Sequence, residues 1–284
     1  MHRTALAPRR PVLVLVLLAT ALAGCSARPT PPAPGLAADG VPESRPGRAI
    51  GYLADDAIPD SAALLPPPPA GDAAGLDQAR MRAALALRDT PRFAQATVDA
   101  GLDFPQAAPL FACALGVEID LEHTPATWRL LRRTLADAAR STRSAKDLYR
   151  RPRPFLANGA PTCTPGDEPQ LAHSGSYPSG HTAIGTLWSL VLASAAPERS
   201  QALLARGRAF GESRVVCNVH WTSDVAEGQF MGMATFARLQ SEPAYLADLE
   251  AARRELGAAR AAGRGPARDC DAEAAALAWP APAS

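Results

Sequence analysis

Lysine is all but missing from this sequence: among 29 basic residues, Lys146 is the sole lysine. Aromatic residues are scarce as well, at 5% of the 284 residues, and few runs of Val, Ile or aromatic side chains alternate in the two-residue period of a strand. That argues against a sandwich or barrel. Neither sign of charge is in excess. With a formal net charge of +1 the chain lacks the electrostatic footprint of a nucleic-acid binder, so any phosphate it handles belongs to a small ester. The apolar run "PVLVLVLLATALA", Pro11 to Ala23, falls short of the roughly 20 residues that a spanning helix needs. No cluster of Asp, Glu and His with divalent-metal spacing stands out, and no metal or cofactor is expected.

What is present begins with that run. Arg3, Arg9 and Arg10 precede it, giving residues 1–24 the charge and apolar order of an export signal. The run ends in "LAGC", Leu22 to Cys25, which resembles the lipobox of bacterial lipoproteins, where the Cys is lipidated and becomes the mature N-terminus. Ordinary signal cleavage nearby is the alternative. Ser26 after the Cys, in place of Asp, resembles the pattern sorted to the outer membrane. A periplasmic, lipid-anchored protein is expected, touching the membrane through its N-terminus only. Residues 25–50 are rich in Pro, Ala and Gly without an apolar period and read as a flexible tether. Apart from Cys25, the cysteines are Cys113, Cys163, Cys217 and Cys270. An even number in an exported chain suggests two disulfides, with three pairings open.

Residues 51–262 read as one all-α domain. Ala/Leu/Arg stretches with helical spacing, broken by Pro and Gly, predict helices over 77–88, 91–100, 105–115, 124–149, 182–195, 197–214, 220–239 and 243–262. "HTAIGTLWSLVLASAA" is apolar nearly all round and belongs at the centre of a bundle, since no face of it suits water. "LLPPPP", Leu64 to Pro69, reads as a polyproline II spacer. Residues 263–284, rich in Ala, Gly and Pro, read as a loose tail unless Cys270 ties them down.

Three segments carry chemistry. In "KDLYRRPRP", Lys146 stands two helical turns before Arg153, and Pro152 and Pro154 stop the helix between them. A planar fork and a point charge aimed at one place suit a phosphoryl group; a solvated basic helix end is the plainer reading. In "GSYPSGHT", a tight turn precedes the buried helix. Ser179 and Gly180 offer a hydroxyl and unpaired N–H groups to an anion, and His181 could give a proton to a departing alkoxide. In "SRVVCNVHWTSD", His220 and Asp224 are four residues apart, so on a helix they share a face. A carboxylate on one ring nitrogen leaves a lone pair on the other. Arg214 supplies a further cation.

In order, these segments read Lys-x6-Arg-Pro, Pro-Ser-Gly-His and Ser-Arg-x5-His-x3-Asp. The pattern resembles the phosphatidic acid phosphatase type 2 superfamily, which includes the vanadium-dependent haloperoxidases. Through "LLPPPP", "TRSAKDLY", "GSYPSGHT" and "SRVVCNVHWTSDV", over about Tyr52 to Leu256, it is similar to the class A bacterial nonspecific acid phosphatases. The lipobox and tether depart from relatives that are mostly soluble periplasmic enzymes. The resemblance implies that His220, oriented by Asp224, attacks phosphorus; that Lys146, Arg153, Ser179, Gly180 and Arg214 hold the phosphate; and that His181 is acid and then base. Small phosphomonoesters are the implied substrates. Convergence of the three segments on one phosphate brings residues 155–177 beside 215–219, so Cys163 is expected to pair with Cys217, as in class A relatives, leaving Cys113 for Cys270. Relatives are often dimers or larger, which leaves a homo-oligomer open. Rival readings are a vanadate-dependent haloperoxidase, a lipid-phosphate phosphatase and a non-catalytic phosphate-binding lipoprotein.

Overall fold

Prolines and hydroxyl residues mark where this chain starts its helices. The computed structural model describes residues 35–278 with the exception of 38; the expected signal peptide and the expected lipidation at Cys25 lie outside the described residues. The first described segment overturns an expectation. Part of the tether forms a small antiparallel sheet, β1 (Gly35–Leu36), β2 (Pro42–Arg45) and β3 (Arg48–Ala49), in that order. What the absence of an apolar period concealed is an electrostatic attachment. Arg132 ion-pairs with both Asp39 and Glu43, and Asp39 also accepts a 2.8 Å hydrogen bond from the Trp128 indole. Val41 alone adds a fully buried apolar side chain, too little to show as a period.

Helix α1 (Ser61–Leu64) is capped by the Asp60 side chain, and the Ser61 and Ser144 hydroxyls lie 3.0 Å apart. Helices α2 (Gly75–Leu85) and α3 (Pro91–Val98) follow, the latter with Thr90 as N-cap and Pro91 in its first turn, as helix-start chemistry requires. The expected helix over 105–115 is shorter: a 3-10 turn at Ala108–Phe111 leads into α4 (Ala112–Leu115), which Gly116 ends in the left-handed region at φ 75°. The long helix expected over 124–149 is two, α5 (Pro125–Ser141) and α6 (Arg143–Tyr149). At the break the Ser141 and Thr142 hydroxyls donate back to the carbonyls of Ala138 and Ala139, competing with the helical ladder. Short helices α7 (Pro154–Asn158) and α8 (Glu168–Ala172) lie in the loop that follows.

Helix α9 (Gly180–Ala195) is the apolar stretch, and it sits in the middle of the bundle. It packs on α5, α10 (Ser200–Val216), α11 (Thr222–Leu239) and α12 (Pro243–Ala261). Ile184, Leu187, Trp188, Val191 and Leu192 are buried on it, and the Trp188 indole meets its need for a partner by donating to the Leu131 carbonyl at 3.0 Å. Helix packing this close needs glycine at the contacts: a Cβ on Gly228 of α11 would lie 2.5 Å from the Ser179 carbonyl.

The tail follows the exception that Cys270 allowed. Residues Cys270–Leu277 form α13, bonded to Cys113 of α4. Glu273 of α13 accepts from Arg206 of α10 at 3.1 Å, both being buried. A disulfide and one buried ion pair order a segment whose composition offers little core.

Candidate active site

Each of the three sequence segments delivers its side chains by a different helix terminus. Lys146 lies in the last turn of α6 and donates to the Gly175 carbonyl at 3.0 Å and the Ser176 carbonyl at 3.4 Å. Arg153 is the N-cap of α7. Backbone carbonyls fix its guanidinium: Nε donates to Leu171 and Ser174 at 3.0 and 3.1 Å, and Nη1 donates to Val219 at 3.0 Å. The same Nη1 lies 3.2 Å from Nε2 of His220, so residues 153 and 220 meet.

Ser179 caps α9. Its Oγ accepts from the Thr182 amide at 3.3 Å and from the Thr182 hydroxyl at 2.8 Å, which occupies both lone pairs and leaves its own proton to donate. The N–H groups of Gly180 and His181 open the helix and have no carbonyl behind them within it. His181 is turned so that Nε2 meets the Ala100 carbonyl at 3.0 Å, leaving Nδ1 for the pocket. Arg214, in the last turn of α10, is buried, and its Nε and Nη1 have no hydrogen-bond partner among the described residues. An unpartnered buried guanidinium is costly. Its free N–H groups suit an anionic oxygen acceptor.

The His220–Asp224 pair is built differently from the shared helix face that the spacing suggested. His220 precedes α11; Trp221 is the N-cap and Asp224 the third residue. Asp224 Oδ2 accepts the Trp221 amide at 2.8 Å and lies 3.4 Å from His220 Nδ1. Because an Arg153 N–H points at Nε2, that nitrogen carries the lone pair and Nδ1 the proton facing the carboxylate. The Asp224 carbonyl also accepts from the Ser179 amide at 2.9 Å, which joins the second and third segments.

Sequence reasoning missed the supports. Arg151 donates to Asp224 Oδ1 at 2.6 Å, to the Ser223 hydroxyl at 2.7 Å and to Asp77 at 2.8 Å; one of several arginines in "RRPRP", it carried no separate signal. "LLPPPP" is more than a spacer, since the Pro66 carbonyl accepts the Tyr177 hydroxyl at 2.7 Å and so braces the turn that presents Ser179. The Cys163–Cys217 disulfide joins the loop of α7 and α8 to the end of α10.

Charges crowd this site. Desolvation, then the cations Arg153, Lys146 and Arg214, push His220 well below the usual imidazole range. Desolvation and Arg214 do the same to His181, so both rings are neutral in the empty site. Desolvation and then Arg153 bring Lys146 down to about 7, while Arg153 and Arg214 fall to about 10. Burial raises Asp224, and Arg151 opposes it. Lys146, Arg153, Gly180 and His181 line a pocket of about 1040 Å³, with His220 buried beside Arg153. The arrangement can hold a tetrahedral dianion against a neutral imidazole.

Comparison with known proteins agrees with that chemistry. The PAP2 superfamily model matches residues 130–241. The chain is 45% identical over 195 residues to a non-specific acid phosphatase of Salmonella typhimurium, covering 68% of this chain and 78% of that protein. It is 42% identical over 208 residues to a non-specific acid phosphatase of Providencia stuartii, covering 72% and 84%. An acid phosphatase of Zymomonas mobilis is 37% identical over 204 residues, covering 72% and 77%. On its fold, its three converging segments and these relatives, the chain belongs to the PAP2 superfamily, among the bacterial non-specific acid phosphatases.

Proposed function

We propose that this protein is an exported acid phosphatase that hydrolyses small phosphomonoesters through a phosphohistidine on His220. The observation that carries the reading is the pair of unpartnered nitrogens on buried Arg214, in a cluster where Arg153 already touches the imidazole of His220. Nε2 of His220 attacks phosphorus in line, the P–O bond to the leaving group breaks, and the alkoxide takes a proton from His181. A bound dianion raises the depressed pKa of His181, which equips that ring as the acid. In the second step His181, now neutral, takes a proton from water; the resulting oxygen attacks phosphorus, and the P–N bond breaks to free His220 and phosphate. Lys146, Arg153, Arg214, the Ser179 hydroxyl and the Gly180 amide hold the equatorial oxygens, where charge gathers.

These donors replace a metal. Among the described residues no group of three or more His, Cys, Asp or Glu is placed to hold one. The test is a panel of phosphomonoesters assayed with and without chelator: release of phosphate from several esters, equal in both, is expected, whereas activity that dies with chelator overturns the reading. His220→Ala should remove at least about 10³-fold of the rate while the circular dichroism spectrum persists. Retained turnover would assign the nucleophile elsewhere.

The two disulfides support an oxidising compartment, and the N-terminal run ending in "LAGC" supports lipid attachment at Cys25. Among the described residues no helix is long and apolar enough to cross a membrane. Mass spectrometry of the mature N-terminus tests the anchor: a lipid-modified Cys25 is expected, and a free terminus at a neighbouring residue overturns it.

A further inference from the structure

The cleft does not end at the phosphate site. A second groove of about 1210 Å³ runs along α5 toward the β-sheet, and Leu102, Leu135, Ala139, Arg143 and Gln170 line both it and the catalytic pocket. The two cavities adjoin through these shared residues. Its shared floor is apolar through Leu102, Leu135 and Ala139. Arginines stand around that floor, and they fall into two groups. Arg132 and Arg140 are committed to Asp39 and Asp55. Arg143, Arg45 and Arg48 line the groove without a carboxylate partner among the described residues, against Asp103 as the one acidic lining residue outside those pairs.

Arg143 is distinctive by position. It is exposed, lies at the junction of the two cavities, and stands one helical turn before Lys146 on α6, so both head groups rise from the same helix face about 5–6 Å apart at Cβ. An exposed arginine on a helix is ordinarily solvated. One at the mouth of a cationic phosphate site, above an apolar floor that leads to two more unpaired arginines, is placed to read a second anion.

We propose that this groove is a leaving-group subsite and that Arg143 determines specificity within it, favouring phosphomonoesters whose leaving group carries a further anionic group across a short ring or apolar scaffold. The proposal rests on the phosphatase reading. It changes no bond-making step; it selects what departs.

The experiment compares kcat/KM for adenosine 3′,5′-bisphosphate and adenosine 5′-monophosphate, a pair differing only in the second phosphate. A second cleavable ester supplies a factor of about two by itself, from the doubled number of reactive sites. The unaltered enzyme should prefer the bisphosphate by about tenfold, a charge-assisted contact of about 1 kcal/mol beyond that factor. In Arg143→Ala the ratio should fall to about two, and in Arg143→Lys, which keeps the charge, at least half of the preference should remain. A ratio of two in the unaltered enzyme, a ratio that Arg143→Ala leaves in place, or equal losses in the Ala and Lys variants would each overturn the subsite. Hydrolysis of neither nucleotide nor p-nitrophenyl phosphate by the unaltered enzyme would instead overturn the phosphatase reading beneath it.

Discussion

At the scale of single residues, Lys146 is the most informative titrating group, because its pKa is set by an imbalance that a ligand corrects. In the empty site desolvation and Arg153 hold its ammonium at about 7, so near neutral pH it is partly deprotonated. A dianion bound among Lys146, Arg153 and Arg214 raises that pKa. The bound state then carries more protons than the free state, and affinity must rise as pH falls from about 9 toward 7. Sulfate, which stays a dianion throughout this range, keeps the ligand's own titration out of the measurement, and Lys146→Arg, which stays charged, separates the lysine's uptake from that of His181. Calorimetry in two buffers of different ionisation heat should show proton uptake of a fraction of one on binding at pH 7.5; zero uptake would mean that the lysine is already charged. The sole lysine was visible in the sequence, as were both histidines and both arginines. The carbonyls that aim them were not, because a carbonyl such as that of Ala100 behind His181 leaves no trace in residue identity.

Among the elements, the contact between α9 and α11 decides how well the site is held. Gly228 lets α11 lie against the Ser179 carbonyl, and Ser179 is a cap and, in the proposed mechanism, a phosphate donor. Gly228→Ala should destabilise the protein by about 1–3 kcal/mol through overpacking and should lower kcat as well, since the backbone that moves is that of the site. A denaturant midpoint and a kinetic assay on the same variant check both; a stability loss with unchanged kcat would separate packing from positioning. The central helix was legible because a stretch apolar on all faces has one place to go. The break at Thr142 was not, because it turns on hydroxyls donating back to Ala138 and Ala139, a choice that serine and threonine make in some helices and not in others. The sheet at 35–49 was hidden for a different reason: apart from the single buried Val41, its attachment is polar, Asp39 and Glu43 on Arg132 and Asp39 on Trp128, between segments almost a hundred residues apart.

For the molecule as a whole, two features set stability. The Cys113–Cys270 bond closes 157 residues of chain, a loop long enough that Cys113→Ser with Cys270→Ser should cost about 2–5 kcal/mol, read as a lower denaturant midpoint. If the double variant unfolds at the same midpoint, α13 is held by its other contacts, the ion pairs of Glu273 with Arg206 and Arg268 among them. The other feature is the repulsion among Lys146, Arg153 and Arg214 in the empty site. Phosphate or sulfate binds the folded state only, so at one hundred times its dissociation constant it should add about 2.7 kcal/mol and raise Tm by roughly 5–10 °C. The His220→Ala protein, which keeps the three cations, should show the same rise.

Asp224 serves two masters with one oxygen: Oδ2 closes the start of α11 on the Trp221 amide and faces the imidazole of His220. Heredity therefore cannot trade one duty against the other at this codon. Any library screened merely for solubility will purge changes there before catalysis is ever assayed, and a descendant that abandoned phosphate chemistry would still be obliged to keep the acid.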